Sequence, residues 1–175
     1  VATGDEETLF GLPEVKLGLM PSGNGLLRVA RRAGLKAAID LGLTGVSLRP
    51  KRALTLGLVD EVVAAAIALE AACSLALRLV ARPEMRRMLP KRRAWMRHRG
   101  SVIARLGEVP RVLLENNPIG RALVIRQARI EALKETQGHY PARGRMLDVL
   151  ARFGSRGFAS AARLEAQLFG GLVVD

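Results

Sequence analysis

A chain of 175 residues suffices for one domain or for part of a larger one. With 49% apolar and 3% aromatic residues it is not disordered, and its core has to come from Leu, Val, Ile and Ala. One cysteine, Cys73, excludes an internal disulfide framework and, with only two histidines, argues against structural zinc, while a net charge of +12 points to an anionic partner: nucleic acid, a membrane surface or a phosphate-bearing ligand.

The chain starts on Val1 rather than Met, and Asp5, Glu6 and Glu7 make its start acidic where a signal peptide is basic, so it reads as the middle of a reading frame. Those three acids read as a solvated face. Residues 9–19 read as a short extended segment containing Pro13, followed by the loop Pro21-Ser22-Gly23-Asn24-Gly25. Helical patterns cover residues 26–33, stopped by Gly34, and residues 35–43, closed by Thr44-Gly45. Pro50 opens a third, which runs to Gly57. Residues 58–63 have the β-branched content of a strand. Helix resumes at Ala64 and lasts to Pro83. The stretch 62–80 is apolar but carries Glu70 and Arg78, and its Ala-rich make-up suits a buried helix better than a membrane span, so the chain is expected to be soluble. Residues 82–99 are strongly basic, with Glu84 the only acid, and the helical patterns after them break at Pro110, at Asn116-Asn117-Pro118 and at Gly138-His139-Tyr140-Pro141.

Few side chains invite chemistry. Glu14 follows Pro13 among Leu12, Val15 and Leu17. A carboxylate held against apolar walls has its neutral form favoured and can then give up a proton near neutral pH; the alternative is an exposed Glu at a strand end. The loop 21–25, ahead of a helix, can offer backbone N–H groups to an anion or an oxyanion, or it is a plain turn. It is neither a phosphate-binding P-loop nor a dinucleotide fingerprint, because the required spacings fail. His139 reads as a turn residue, His98 as idle, and Cys73 as a small buried hydrophobe.

Taken together, the run Phe10-Gly11-Leu12-Pro13-Glu14-Val15-Lys16-Leu17-Gly18-Leu19-Met20-Pro21 resembles the crotonase (enoyl-CoA hydratase/isomerase) superfamily. So do Leu43-Thr44-Gly45 and Ala53-Leu54-Thr55-Leu56-Gly57-Leu58-Val59-Asp60. Thr136-Gln137-Gly138-His139-Tyr140-Pro141-Ala142 and Glu165-Ala166-Gln167-Leu168-Phe169-Gly170 resemble the α subunits of multifunctional fatty-acid oxidation complexes. In those proteins a crotonase domain is followed by helices and an NAD-dependent 3-hydroxyacyl-CoA dehydrogenase.

The resemblance implies an α/β fold class, predominantly α in this chain. Residues 1–83 would be the C-terminal half of a crotonase-like ββα spiral domain, and residues 84–175 a helical connector. It implies hydration of trans-2-enoyl-CoA thioesters in β-oxidation, with isomerase activity as a further reaction of the family. Two glutamates and an oxyanion hole of two backbone N–H groups do this work. Glu14 falls on the glutamate that protonates the substrate α-carbon, with Pro13, Pro21, Ser22 and Gly23 as substrate-binding residues. The other glutamate and the oxyanion hole would precede Val1, and the dehydrogenase with its NAD would follow Asp175. Losing one oxyanion donor alone costs about two to three orders of magnitude in rate, so the fragment by itself is expected to be inactive. No cofactor and no metal are implied for this chain; coenzyme A enters as the substrate thioester. The implied partners are acyl-CoA, a thiolase β subunit and a membrane surface, in the cytoplasm. The loop departs from the family, since only Pro21, Gly25 and Arg28 keep register and Ser22 replaces a glycine. Leu26 and Leu27 should simply pack inward.

The alternative, from another class, is a non-catalytic basic helical module that docks on a partner subunit or an anionic membrane through residues 82–99. Nucleic acid is not expected as a partner, because the chain has no zinc-finger spacing or RNP motif and Trp95 alone makes no stacking platform. Binding to heparin, DNA and anionic vesicles, measured against salt, separates the readings: retention on vesicles without DNA binding is the outcome expected of a docking segment.

Overall fold

The computed structural model describes residues 1–81, 117–136 and 140–174. The basic segment 82–99, His98, His139 and the boundary expected near residue 83 lie outside them. Gly and Pro set the early helices where their spacing predicts. Helix α1 (Gly25–Ala33) ends at Gly34, and α2 (Leu35–Thr44) ends at Gly45, whose φ of 62° is left-handed. Helix α3 (Pro50–Leu56) has proline in its first turn and closes on Gly57. Two readings need correction. Residues 9–19 are not extended, because Pro13–Leu17 form a 3-10 turn. The β-branched run 58–63 yields only β2 (Val62–Val63), which pairs in parallel with β1 (Ala2–Thr3), Ala2 opposite Val62 and Thr3 opposite Val63. A strand extends only as far as its backbone finds partners, and among the described residues β1 supplies two.

The chain forms two compact units. The described part of the first comprises residues 1–10 and 47–81. Besides the β1–β2 pair it contains an antiparallel bridge, in which Phe10 and Leu48 exchange N–H···O bonds of 2.9 and 2.7 Å. Asp5, Glu6 and Glu7 are exposed. The Asp5 carboxylate accepts bonds from the hydroxyl and the N–H of Thr8, and the Thr8 hydroxyl first of all holds its pKa below the ordinary value. Helix α4 (Ala68–Ala81) carries the Arg78–Glu61 ion pair at 2.7 Å, too exposed to contribute much. The expectation of a buried α4 fails. Leu75 is its only buried residue, whereas Cys73 is exposed and Leu69, Leu77 and Val80 are 80%, 70% and 68% exposed. Apolar residues fall on two stripes of this helix, and among the described residues of the unit only the stripe with Leu75 is covered; composition reports how apolar a helix is, not how many of its sides are packed. Among the described residues, no helix is long and apolar enough to cross a membrane.

The second unit contains residues 11–46, 117–136 and 140–174 of the described chain. Helix α5 (Pro118–Thr136) and α6 (Pro141–Val174) pack against one another, and both meet α2; α6 also packs on α1. Leu26 and Leu27 of α1 are fully buried, as are Ile39 of α2 and Met146 and Leu147 of α6. Gly42 permits this approach, since a Cβ there would lie 2.7 Å from Leu26 Cδ1 and 3.3 Å from Met146 Sδ. Helix α6 breaks at Gly157 (φ 77°) and its second part turns back along the first, so that Arg145 Nη1 donates to Leu168 O at 3.1 Å.

Two carboxylates are enclosed in this core, Asp40 of α2 and Glu165 of α6. Glu165 is 3% exposed, its Oε1 accepts the Asn24 N–H at 2.6 Å, and its Oε2 is buried without a partner among the described residues. Burial raises its pKa above the ordinary 4.5, and the Asn24 hydrogen bond pulls the other way without cancelling the rise. A raised folded value means that the native state holds the proton more tightly than the unfolded chain. The resulting stabilisation is complete below the ordinary value and is lost as pH rises through the folded value.

Two outcomes follow for purified protein in urea denaturation. Leu27→Ala lowers the unfolding free energy by about 2–5 kcal/mol, through lost burial and the cavity left behind. Relative to Glu165→Gln, the wild-type chain loses stability as pH rises above the ordinary carboxylate value of 4.5, and parallel curves for the two chains overturn this.

Candidate active site

Glu14 owes its position to the turn that carries it. Pro13 supplies a fixed φ and no N–H, which suits the first position of a turn, and Gly18 closes it with φ 76°. The Gly18 N–H donates to Val15 O and the Leu19 N–H to Glu14 O, each at 3.1 Å. Buried Leu12 and Val15 anchor the segment, while Pro13, Lys16 and Leu17 are exposed. Glu14 itself is half-buried, with its Oε2 enclosed and unpartnered among the described residues. The extended strand end imagined from sequence is absent, and the carboxylate does not stand in open water. A buried carboxylate oxygen without a donor is costly, and such atoms call for a reason outside the fold itself.

The following loop begins with fully buried Met20 and buried Pro21, and then surfaces at Ser22 and Gly23. Gly23 and Asn24 both have φ 66°, consecutive left-handed residues immediately before α1. Asn tolerates this conformation better than most residues with a Cβ. The Gly25 N–H donates to Ser22 O at 3.4 Å and the Arg28 N–H to Asn24 O at 2.9 Å. The Asn24 N–H, of the kind the sequence offers to an anion, goes to the protein's own Glu165 carboxyl group on α6. Gly25 also faces the Glu14 segment closely, because a Cβ on it would lie 3.2 Å from Leu12 Cδ2.

Glu165 had no assigned role in the sequence reading. Its signal is nonetheless there: Phe158, Ala161, Leu168 and Leu172 mark one face of the second part of α6 at spacings of three, four and seven, and Glu165 falls within that face. A cavity of about 400 Å³ opens along α6, lined by Asp148, Ala151, Arg152, Ser155, Leu164 and Leu168. Glu14, Pro13, Pro21, Ser22 and Gly23 do not line it. Among the described residues no three His, Cys, Asp or Glu side chains gather as metal ligands would.

Residues 1–98 match the sequence model of the enoyl-CoA hydratase/isomerase family. Over 175 residues the chain is 39% identical to the fatty acid oxidation complex subunit alpha of Shewanella loihica and 35% identical to that of Shewanella amazonensis. It is 34% identical over 177 residues to the Shewanella frigidimarina protein of the same name. These matches take in 99–100% of this chain but only 22% of each relative's length. With more than half of its residues inside the family match, the chain belongs to the enoyl-CoA hydratase/isomerase family.

Proposed function

We propose that these residues are part of an enoyl-CoA hydratase of fatty-acid β-oxidation, and that Glu14 delivers the proton to the α-carbon. Hydration adds the oxygen of water to the β-carbon of the double bond and a proton to the α-carbon, while the thioester oxygen carries negative charge in between. A carboxyl group placed against the α-carbon supplies the proton without an extra charged species. The observation that carries this reading is the enclosed Oε2 of Glu14, left without a donor among the described residues of a chain that belongs to this family. Pro13, Pro21, Ser22 and Gly23 are assigned to the substrate side of the same segment, with Ser22 and Gly23 exposed and free to meet a ligand.

In this reading residues 1–83 form the latter part of a crotonase-like spiral domain, and residues 84–175 form the helical connector. Hydration asks no cofactor of the chain, since coenzyme A arrives as the substrate thioester and hydride transfer to NAD belongs to a dehydrogenase outside residues 1–175. The naming of the relatives supports membership of a fatty acid oxidation complex with acyl-CoA as substrate, and the resemblance alone suggests a cytoplasmic location and a thiolase subunit as partner. A second reading, docking on a partner subunit, is favoured by one observation: the exposed stripe of Leu69, Leu77 and Val80 directly precedes the basic segment.

Residues 1–175 alone are expected to leave a short enoyl-CoA at its background hydration rate, followed by loss of the conjugated thioester absorbance. In a chain that adds the preceding half of the domain, Glu14→Gln lowers kcat roughly a hundred- to ten-thousand-fold. Turnover by the 175-residue chain that Glu14→Gln abolishes overturns the account of a divided site, and a Glu14→Gln enzyme with full activity overturns the role of Glu14.

A further inference from the structure

We propose that Glu165 is a positioning residue for the catalytic segment: its carboxylate, carried on α6, holds the left-handed turn Gly23–Asn24, and that turn fixes the stretch bearing Glu14. The inference rests on the reading of Glu14 given above. Three observations make the link. Glu165 Oε1 accepts the Asn24 N–H at 2.6 Å, a short hydrogen bond to a carboxyl oxygen of a buried side chain. Asn24 sits at φ 66°, where a residue with a Cβ needs support from its surroundings. The next residue, Gly25, lies close to Leu12, since a Cβ there would come 3.2 Å from Leu12 Cδ2; Leu12 is buried and enters the turn Pro13–Leu17. Displacement of Asn24 therefore moves Gly25 against the residue from which the Glu14 turn starts.

The identity of the side chain supports the same conclusion. Position 165 lies on the face of α6 marked by Ala161 and Leu168, where an apolar residue would pack without desolvating a carboxylate. One oxygen of Glu165 has no partner among the described residues, so the acid is a poor choice for packing alone, and its one described bond goes to the loop. Glu165 does not act on substrate; it acts through Asn24.

The test uses two readouts. Amide exchange of Asn24 is followed by NMR in the 175-residue chain, and hydratase kinetics are followed in an active chain that includes these residues. Glu165→Met removes the acceptor at nearly constant length, and Glu165→Leu is the second apolar variant should Met unfold the chain. Glu165→Gln keeps an Oε1 acceptor. The apolar variant is expected to speed Asn24 exchange by about tenfold or more, as loss of one such hydrogen bond implies. It is also expected to lower kcat about tenfold or more while KM changes by less than about threefold, as misplacement of a reacting group implies. Glu165→Gln restores most of both. Unchanged Asn24 exchange in the apolar variant overturns the proposal, and so does faster exchange with kcat intact, which leaves Glu165 a purely structural group. Glu14→Gln with full turnover overturns the Glu14 reading instead, while the exchange measurement still reports whether Glu165 holds the turn.

Discussion

The packing of α6 on α1 and α2 is the constraint on which the second unit depends. Leu26 and Leu27 face this junction from α1, and Met146 and Leu147 from α6, with Gly42 giving up a side chain so that the helices can close. Burial on this scale is worth about 1.5–3 kcal/mol for each large side chain removed from water, which outweighs the exposed Arg129–Asp148 and Arg143–Glu135 pairs on the same unit. Among the polar groups that this apolar contact encloses is the bond from Asn24 to Glu165. A hydrogen bond of this kind gains strength where water is excluded, and it draws on the surrounding apolar packing to exclude it.

Much of the local structure was legible because glycine and proline act over a few residues. Gly34, Gly45 and Gly57 stop α1, α2 and α3 where their spacing predicts, and Pro50, Pro118 and Pro141 open α3, α5 and α6. The inward packing of Leu26 and Leu27 was legible for the same reason, since helical periodicity fixes which side of α1 they share. The turn at Pro13–Leu17 was harder to read, because a short apolar run with a proline suits an extended segment and a 3-10 turn about equally well.

What could not be read from a local window was who covers whom. The burial expected for α4 and Cys73 depended on neighbours that the described residues of the first unit do not provide. The partner of the Asn24 N–H stands 141 residues away in sequence, and no spacing rule connects a loop to an acid at that distance. Glu14 was singled out by its neighbours and by a resemblance to known enzymes; its enclosed oxygen is a property of the folded chain alone.

The reversal of α6 at Gly157 has a practical corollary for anyone trimming this protein. The family match stops at residue 98, yet the returning limb brings Ala161 and Glu165 into the same interior as α1 and lays Leu168 beside Arg145. A minimal domain drawn at the edge of the family match would discard a share of its own interior, and one ending at Gly157 would strip the Asn24 amide of its acceptor. A version of this region that keeps its packing therefore extends through the final limb of α6, well past residue 98, where the family match ends.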